Sequence, residues 1–404
     1  MIGVLLVMSW RPTEIGGVTT AVLNLRDELR RSEQVSADLL VESWDCRTLC
    51  TETFAGEPLY LLRIATPIQK GRGLSAPFGF VWGFAYTARQ LLALILARNI
   101  RVVNVHFPGL EVVFWSLLLR LGLYRGKLVL SFHGADVTQA AGSASRMERL
   151  LWRFAIRSAT ALTACSSALA RELTRLFPFA TSKLFVVPNG VSADKVMAEA
   201  LLPDANADLP RAPYIACIAG FEPKKGLDTL LHAFAVVRRE QPDLTLALLC
   251  RAGPDFASVS ALIDALELSD SVHLRIDCAH ARAMAILRGA EALIVPSRKE
   301  PFGIVALEAA VLERPVVLTS VCGVLEALPA NPPVTIVAPD DPVALAEAIL
   351  LLLRHRPAAQ NRAAELRRYV LESLTWSSAA AQLLAVYRAT TFHVDPGGGR
   401  TSPP

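Results

Sequence analysis

Two apolar patterns alternate along this chain. Short runs rich in Val, Ile and Leu occur at residues 2–8, 102–106, 128–132 and 161–165, none interrupted by an acidic or basic residue. Such runs predict strands buried on both faces of a parallel sheet. Between them, residues 18–31 and 84–98 repeat apolar positions three and four apart, which predicts amphipathic helices. The alternation is that of a doubly wound α/β lobe. It breaks after Val187-Pro188-Asn189-Gly190, where residues 192–212 carry Pro203, Asp204, Asn206, Asp208 and Pro210 with weak periodicity. A second series of strand-like runs follows at 214–219, 244–250, 272–274, 292–295, 316–319 and 334–337, again separated by helical patterns. Helical segments at 360–373 and 377–388 then lead into a Gly/Pro/Ser-rich end.

The expected organisation is a lobe over 1–190, a linker over 191–212, a second lobe over 213–373, a helix over 374–390 packing back toward the first lobe, and a disordered tail over 391–404. In open parallel sheets ligands sit beyond the carboxyl ends of the strands, at a switch point. Two lobes facing each other would form a cleft with one ligand on each wall, so the working residues should lie just after strands.

Bulk properties narrow this picture without changing it. Apolar residues are 52% of the 404 and charged residues 19%, a balance that permits a packed core. No uninterrupted apolar run reaches the ~18 residues needed to cross a bilayer. Residues 2–8 lack the basic segment and cleavage site of a secretory signal and read as a buried first strand. Seven scattered cysteines without metal-ligand spacing suit a reducing compartment, so a cytoplasmic location is expected. Net charge is uneven: residues 1–190 hold 21 Lys+Arg against 13 Asp+Glu, and the remainder 20 against 24. Either the first half meets something anionic or its surface is an unevenly solvated one.

The sharpest candidate chemistry lies at Glu300-Pro301-Phe302-Gly303-Ile304-Val305 and Glu308. A strand ends just before it, and Pro301 suits the first position of a helix. The amides of Phe302, Gly303 and Ile304 would then emerge from a helix N-terminus, a place that favours phosphate or sugar oxygens. Glu300 and Glu308 would stand about 12 Å apart by helix rise, which suits the two ends of an extended ligand. Two solvated glutamates on an ordinary helix are the plainer alternative.

This run resembles the E-x7-E signature of the retaining, family-4-type glycosyltransferases of GT-B fold (glycosyl transferases group 1). Other segments resemble that family in the same order. They are Gly16-Gly17-Val18, Ser131-Phe132-His133-Gly134-Ala135-Asp136, Pro188-Asn189-Gly190-Val191, Lys225-Gly226-Leu227-Asp228 and Gly323-Val324-Leu325-Glu326. The resemblance implies two Rossmann-like lobes facing a cleft, the first binding acceptor and the second binding a nucleotide-sugar donor. It implies Glu300 near the donor sugar, the Phe302, Gly303, Ile304 and Val305 amides along the sugar and phosphate, and Glu308 on the ribose. Lys225 would hold the diphosphate, Gly16 and Gly17 would close over it, and His133 would face the reacting centre from the acceptor side with Asp136 close by.

No Asp-x-Asp occurs in the chain, so neither a metal nor another cofactor is expected. One departure matters: where the family writes Gly-Arg before the Lys-Gly element, this chain has Ala219-Gly220, and Gly220 stands at the Arg position. Lys224 is the residue at hand to compensate, although a point cation does not replace a bidentate guanidinium.

The expected partners are a nucleotide-sugar donor and a glycan or lipid-linked acceptor, with no nucleic acid. Lys70-Gly71-Arg72-Gly73 followed by Phe78, Phe80, Trp82 and Phe84 fits peripheral contact with an anionic membrane surface, or else aromatics packed beneath the next helix. A nucleotide-sugar epimerase of the same architecture and a binding protein whose chemistry has decayed are the competing readings. Nucleotide release that depends on acceptor separates the first from the transferase. Indifference of donor binding to loss of Glu300 and Lys225 would favour the second.

Overall fold

The computed structural model describes residues 2–14, 16–68, 75–142, 145–202, 210 and 213–389. Residues 70–73, most of the stretch 203–212 and the tail 391–404, all singled out above, lie outside the described residues.

The first lobe runs β1 (Ile2–Met8), α1 (Gly17–Arg31), β2 (Val35–Glu42), β3 (Cys50–Phe54), β4 (Glu57–Leu62), α2 (Ser75–Ala97), β5 (Ile100–His106), α3 (Val112–Arg120), β6 (Lys127–Phe132), α4 (Ala135–Ala141), α5 (Arg146–Ser158), β7 (Ala161–Ala164), α6 (Ser167–Leu176) and β8 (Leu184–Val186). Its eight strands lie in the order β3-β4-β2-β1-β5-β6-β7-β8, parallel except for the β3–β4 pair. Four of these strands, β2, β3, β4 and β8, have no counterpart in the apolar runs. β2 carries Asp38, buried but held by Arg98 through two bonds of 2.9 Å, so its pattern is broken by a charge. β3 sits on the sheet edge with Thr51, Glu52 and Thr53 in water, and β8 has only three residues.

The chain leaves this lobe through α7 (Ala193–Ala200), which forms inside the stretch expected as a loose linker. Its Val196 and Ala200 are buried against the second lobe's α10 (His280–Gly289). The second lobe comprises β9 (Tyr214–Gly220), α8 (Leu227–Glu240), β10 (Thr245–Arg251), α9 (Phe256–Ala265), β11 (Val272–Ile276), the α10 just named, β12 (Leu293–Val295), α11 (Ile304–Val311), β13 (Val316–Thr319), β14 (Thr335–Val337), α12 (Pro342–Arg354) and α13 (Arg356–Ser373). Its six strands run in the order β11-β10-β9-β12-β13-β14, all parallel.

The last helix, α14 (Trp376–Ala389), returns to pack on α1. Tyr387 on it reaches Asn104 of β5 at 2.8 Å. The outgoing and returning chains cross at Gly190, where a Cβ would lie 2.2 Å from the Thr375 carbonyl carbon. No larger residue fits that crossing. The two lobes share one apolar cluster that runs from Phe132 and Cys165 to Phe302 and Val324, so they pack as one body along part of the cleft.

Candidate active site

Strand order reverses between β9 and β12 in the second sheet and between β1 and β5 in the first. At such points the flanking crossovers leave on opposite faces and the carboxyl ends of both strands border a crevice. β9 delivers Lys225 to the second crevice and β12 delivers Glu300. They form an ion pair, Nζ to Oε2 at 2.7 Å, with side chains only 18% and 12% exposed. Burial works against the lysine charge, yet Glu300 holds its pKa above the ordinary value. Glu300, expected near the donor sugar, is therefore occupied by Lys225, with Ser297 Oγ a further donor at 3.3 Å.

The loop carrying Glu300 is fixed by a guanidinium. Arg298 donates to both carboxylate oxygens of Asp228 at 2.8 and 2.7 Å and to the Pro223 carbonyl at 2.7 Å. The backbones meet as well, the Arg298 amide donating to the Lys224 carbonyl at 2.8 Å. Gly226, at φ 64°, lets the turn approach so closely that a Cβ would lie 2.2 Å from the Pro296 carbonyl oxygen. Asp228 thus owes its place in the Lys-Gly-x-Asp segment to alignment of Lys225 with Glu300. Arg298, the hub, was not a candidate on sequence grounds.

The next helix begins later than expected. α11 starts at Ile304, with Gly303 before it at φ 99° and no side-chain cap. Pro301 does not open it, because the carbonyls of Glu300 and Phe302 accept the amides of Gly323 and Val324 at 2.9 and 2.8 Å, a strand-like tie that replaces a first helical turn. The Phe302 side chain is buried, and the first helical residues are Ile304 and Val305.

The N-terminus of α11 borders an open cavity between the lobes. Gly16, Thr19 and Asn24 line one wall, Ile304, Glu308 and His280 another, and Lys195 and Glu199 of α7 complete it. A Cβ on Gly17 would lie 4.0 Å from Ile304 Cδ1, so the glycine pair does face this helix end. Glu308 receives His280 Nε2 at 2.8 Å, and His280 Nδ1 meets Glu199. Burial opposes protonation of His280, but the two carboxylates, Glu308 first, raise its pKa to about 9. His280 was missed because a histidine opening a helix carries no signal of its own.

Lys224 pairs with Glu222 rather than standing free. A guanidinium is nonetheless near the place where the resemblance implies one: Arg251 of β10 is the direct register partner of Gly220 in β9. A Cβ on Gly16 would lie 3.3 Å from its Nη1, and Glu222 is 3.5 Å from its Nη2.

On the first lobe, His133 follows β6 and is half-buried. Its Nε2 lies 3.1 Å from Nδ1 of His106, the last residue of β5. Burial lowers the His133 pKa to about 4 and, aided by His133, pushes that of His106 well below the ordinary value. Both rings are therefore neutral at pH 7, and His133, expected to face the reacting centre, has its Nε2 engaged with His106. Asp136 is fully buried, and its oxygens accept the amides of His133, Gly134 and Val137 at 2.8, 2.7 and 2.8 Å. It fixes the loop; burial raises its pKa to about 6 against those bonds. Gly134, at φ 132°, meets Pro301, where a Cβ would lie 2.2 Å from Cγ. Across the same boundary Glu326 accepts the Ala168 amide at 2.9 Å and Arg171 at 2.6 Å, which makes the Gly-x-x-Glu glutamate a tie between lobes.

Among the described residues, no group of three or more His, Cys, Asp or Glu side chains is placed to hold a metal ion.

Comparison with known proteins agrees with the two-lobed fold and gives the family. Residues 15–195 match the family model Glycosyltransferase Family 4, and residues 204–369 match Glycosyl transferases group 1. The chain is 28% identical over 275 residues to a glycogen synthase of Mycobacterium tuberculosis, a match covering 66% of this chain and 64% of that protein. It is 31% identical over 235 residues to an MMP alpha-(1->4)-mannosyltransferase of Mycolicibacterium hassiacum, covering 58% and 55%. The matches thus span somewhat under two thirds of these relatives. Among solved structures it is similar to sucrose-phosphate synthase from Thermosynechococcus elongatus, with TM-score 0.74 at 20% identity over 96% of this chain and 99% of that one. It is similar as well to Anabaena HepE in complex with UDP and glucose, with TM-score 0.73 at 15% identity over 95% and 99%.

Proposed function

Because this chain belongs to the family-4-type glycosyltransferases of GT-B fold, we propose that it moves a hexosyl-type unit from a nucleoside diphosphate sugar to a glycan, lipid-linked or other glycoconjugate acceptor, with retention of anomeric configuration. The observation that carries this reading is the uncapped N-terminus of α11 on an interlobe cavity, with Glu308 one turn inside it and the Lys225–Glu300 pair at the neighbouring strand ends.

In the proposed complex the ribose diol meets Glu308, with His280 holding that carboxylate in place through Nε2. The diphosphate rests against the first-turn amides of α11, Lys225 and the Gly16-Gly17 backbone. Charge develops on the leaving phosphate as the glycosidic bond breaks, and Lys225, released from Glu300 once the donor is bound, is then placed to stabilise it. The sugar displaces Lys225 from Glu300, which turns the carboxylate to a sugar hydroxyl. Arg251 supplies the guanidinium missing at Gly220, from the adjacent strand and at the same level of the sheet. This arrangement gives the diphosphate enough cationic partners to do without a divalent ion. Neutral His133 stands on the acceptor wall, and the oxocarbenium-like transition state lies between the two walls.

The test is a thermal-shift screen against uridine, guanosine and adenosine diphosphate sugars, followed by measurement of nucleotide release. One class of nucleotide should raise the midpoint, and release should require acceptor and persist in EDTA. Release without acceptor, or interconversion of the donor's own sugar, would overturn the proposal.

A further inference from the structure

We propose that the outer face of α2, with the first turns of α5, docks the first lobe onto an anionic lipid bilayer. α2 builds Phe80, Ala88, Leu91, Leu94 and Ile95 into the lobe core. Phe78, Val81, Trp82, Tyr86 and Leu96 point into solvent; Phe78 is 76% and Trp82 90% exposed. At the rotation of an α-helix these positions fall along one side, and no acidic residue interrupts it. By length and composition Phe78–Ala97 is apolar enough to cross a membrane, which corrects the expectation from uninterrupted runs alone. Its inner face is committed to the sheet, however, so the helix lies against a surface rather than through it.

α5 adds the charge. Arg146, Arg149 and Arg153 are exposed there beside exposed Met147 and Leu150. The two helices belong to one helical layer, with α3 between them: Phe84 of α2 contacts Phe114 of α3 at 4.9 Å between ring centres, and α3 packs on α5. Each helix precedes a parallel strand of the sheet, so its N-terminal turns lie at the carboxyl edge, on the rim of the cleft. Residues 63–183 hold 16 Lys+Arg and four Asp+Glu. Of those four, Glu111 and Asp136 are buried, Glu172 pairs with Lys299, and Glu148 lies on α5.

That charge decides the occupant. A second copy seated on this face would set arginines against arginines, and a nucleic acid would leave Val81, Leu96, Met147 and Leu150 without an apolar medium. An anionic bilayer satisfies both sets of side chains. Docking turns the cleft rim toward the membrane, so the acceptor is carried on a lipid; that clause alone rests on the glycosyl-transfer reading.

The test is flotation of the full chain with phosphatidylcholine vesicles with and without phosphatidylglycerol. Binding should require the anionic lipid and weaken with salt. Phe78→Ser with Trp82→Ser should lower partition by at least about tenfold, and Arg146→Gln or Arg149→Gln by about fivefold each. Thermal midpoints should not move, because these side chains are exposed. A wild-type chain that ignores both vesicles, or that self-associates through Trp82, would overturn the proposal. Acceptor-dependent turnover without flotation would sink docking and spare the transferase reading, whereas flotation without donor turnover would do the reverse.

Discussion

The two walls of the cleft are built on the same strand-edge geometry but handle charge in opposite ways. The second lobe's wall is ionic: Lys225 faces Glu300, Arg298 faces Asp228, and a protonated His280 bridges Glu308 and Glu199. The first lobe's wall centres on no cation: two unprotonated imidazoles are in contact, and the Asp136 carboxylate is spent on three backbone amides. The difference teaches where each kind of ligand belongs. The proposed diphosphate calls for cations, and among the described residues named in the two walls these lie in the second. A wall without a fixed cation suits the proposed hydroxyl-bearing acceptor.

The strongest way to break this contrast is at Glu300. Glu300→Gln keeps a hydrogen bond to Lys225 and should lower turnover about 10²–10³-fold with little change in thermal midpoint. Glu300→Ala should lower turnover at least as much and also cost about 2–4 kcal/mol, because it strands a mostly buried lysine. Replacement of both partners by apolar residues should restore the midpoint without restoring turnover, and recovery of activity in that double variant would remove the pair from the chemistry.

Gly134→Ala tests whether the walls must touch. With φ at 132° and Pro301 in the way, the substitution should lower stability by about 1–3 kcal/mol and turnover at least about tenfold, read by denaturant midpoint and initial rate. Arg251→Ala should raise the donor KM by about tenfold with kcat less affected, and Arg251→Lys should recover only part. An unchanged donor KM would leave Gly220 uncompensated.

The smallest effect is a pH signature that separates the lobes. The His280 pKa is raised from 6.5 to about 9, so its contribution to stability is complete below 6.5 and is lost as pH climbs through 9. The His133 pKa is lowered to about 4, so the unfolded state binds the extra proton and stability falls as pH drops from 6.5 toward 4. Denaturant midpoints across pH should show both flanks. His280→Gln should flatten the alkaline flank only and raise donor KM a few-fold, whereas loss of the acid flank in that variant would show that the two walls are coupled.

Sequence by itself determined the alternation of strand and helix, the break after Gly190 and the loops on which the chemistry rides. It could do so because burial acts locally: a strand between two helical layers must be apolar along its length, and a turn that approaches another backbone must be glycine. Tertiary structure alone decided which of those loops meet. Lys225 and Glu300 are 75 positions apart and touch because β9 and β12 are neighbours at a switch point. Arg251 stands level with Gly220 only through the register of β10 on β9, and α11 opens at Ile304 because a hydrogen-bonded tie to Gly323 and Val324 outcompetes Pro301. Apolar periodicity says which face of an element is buried; strand order, register and close approach say what it is buried against, and those are properties of the whole chain.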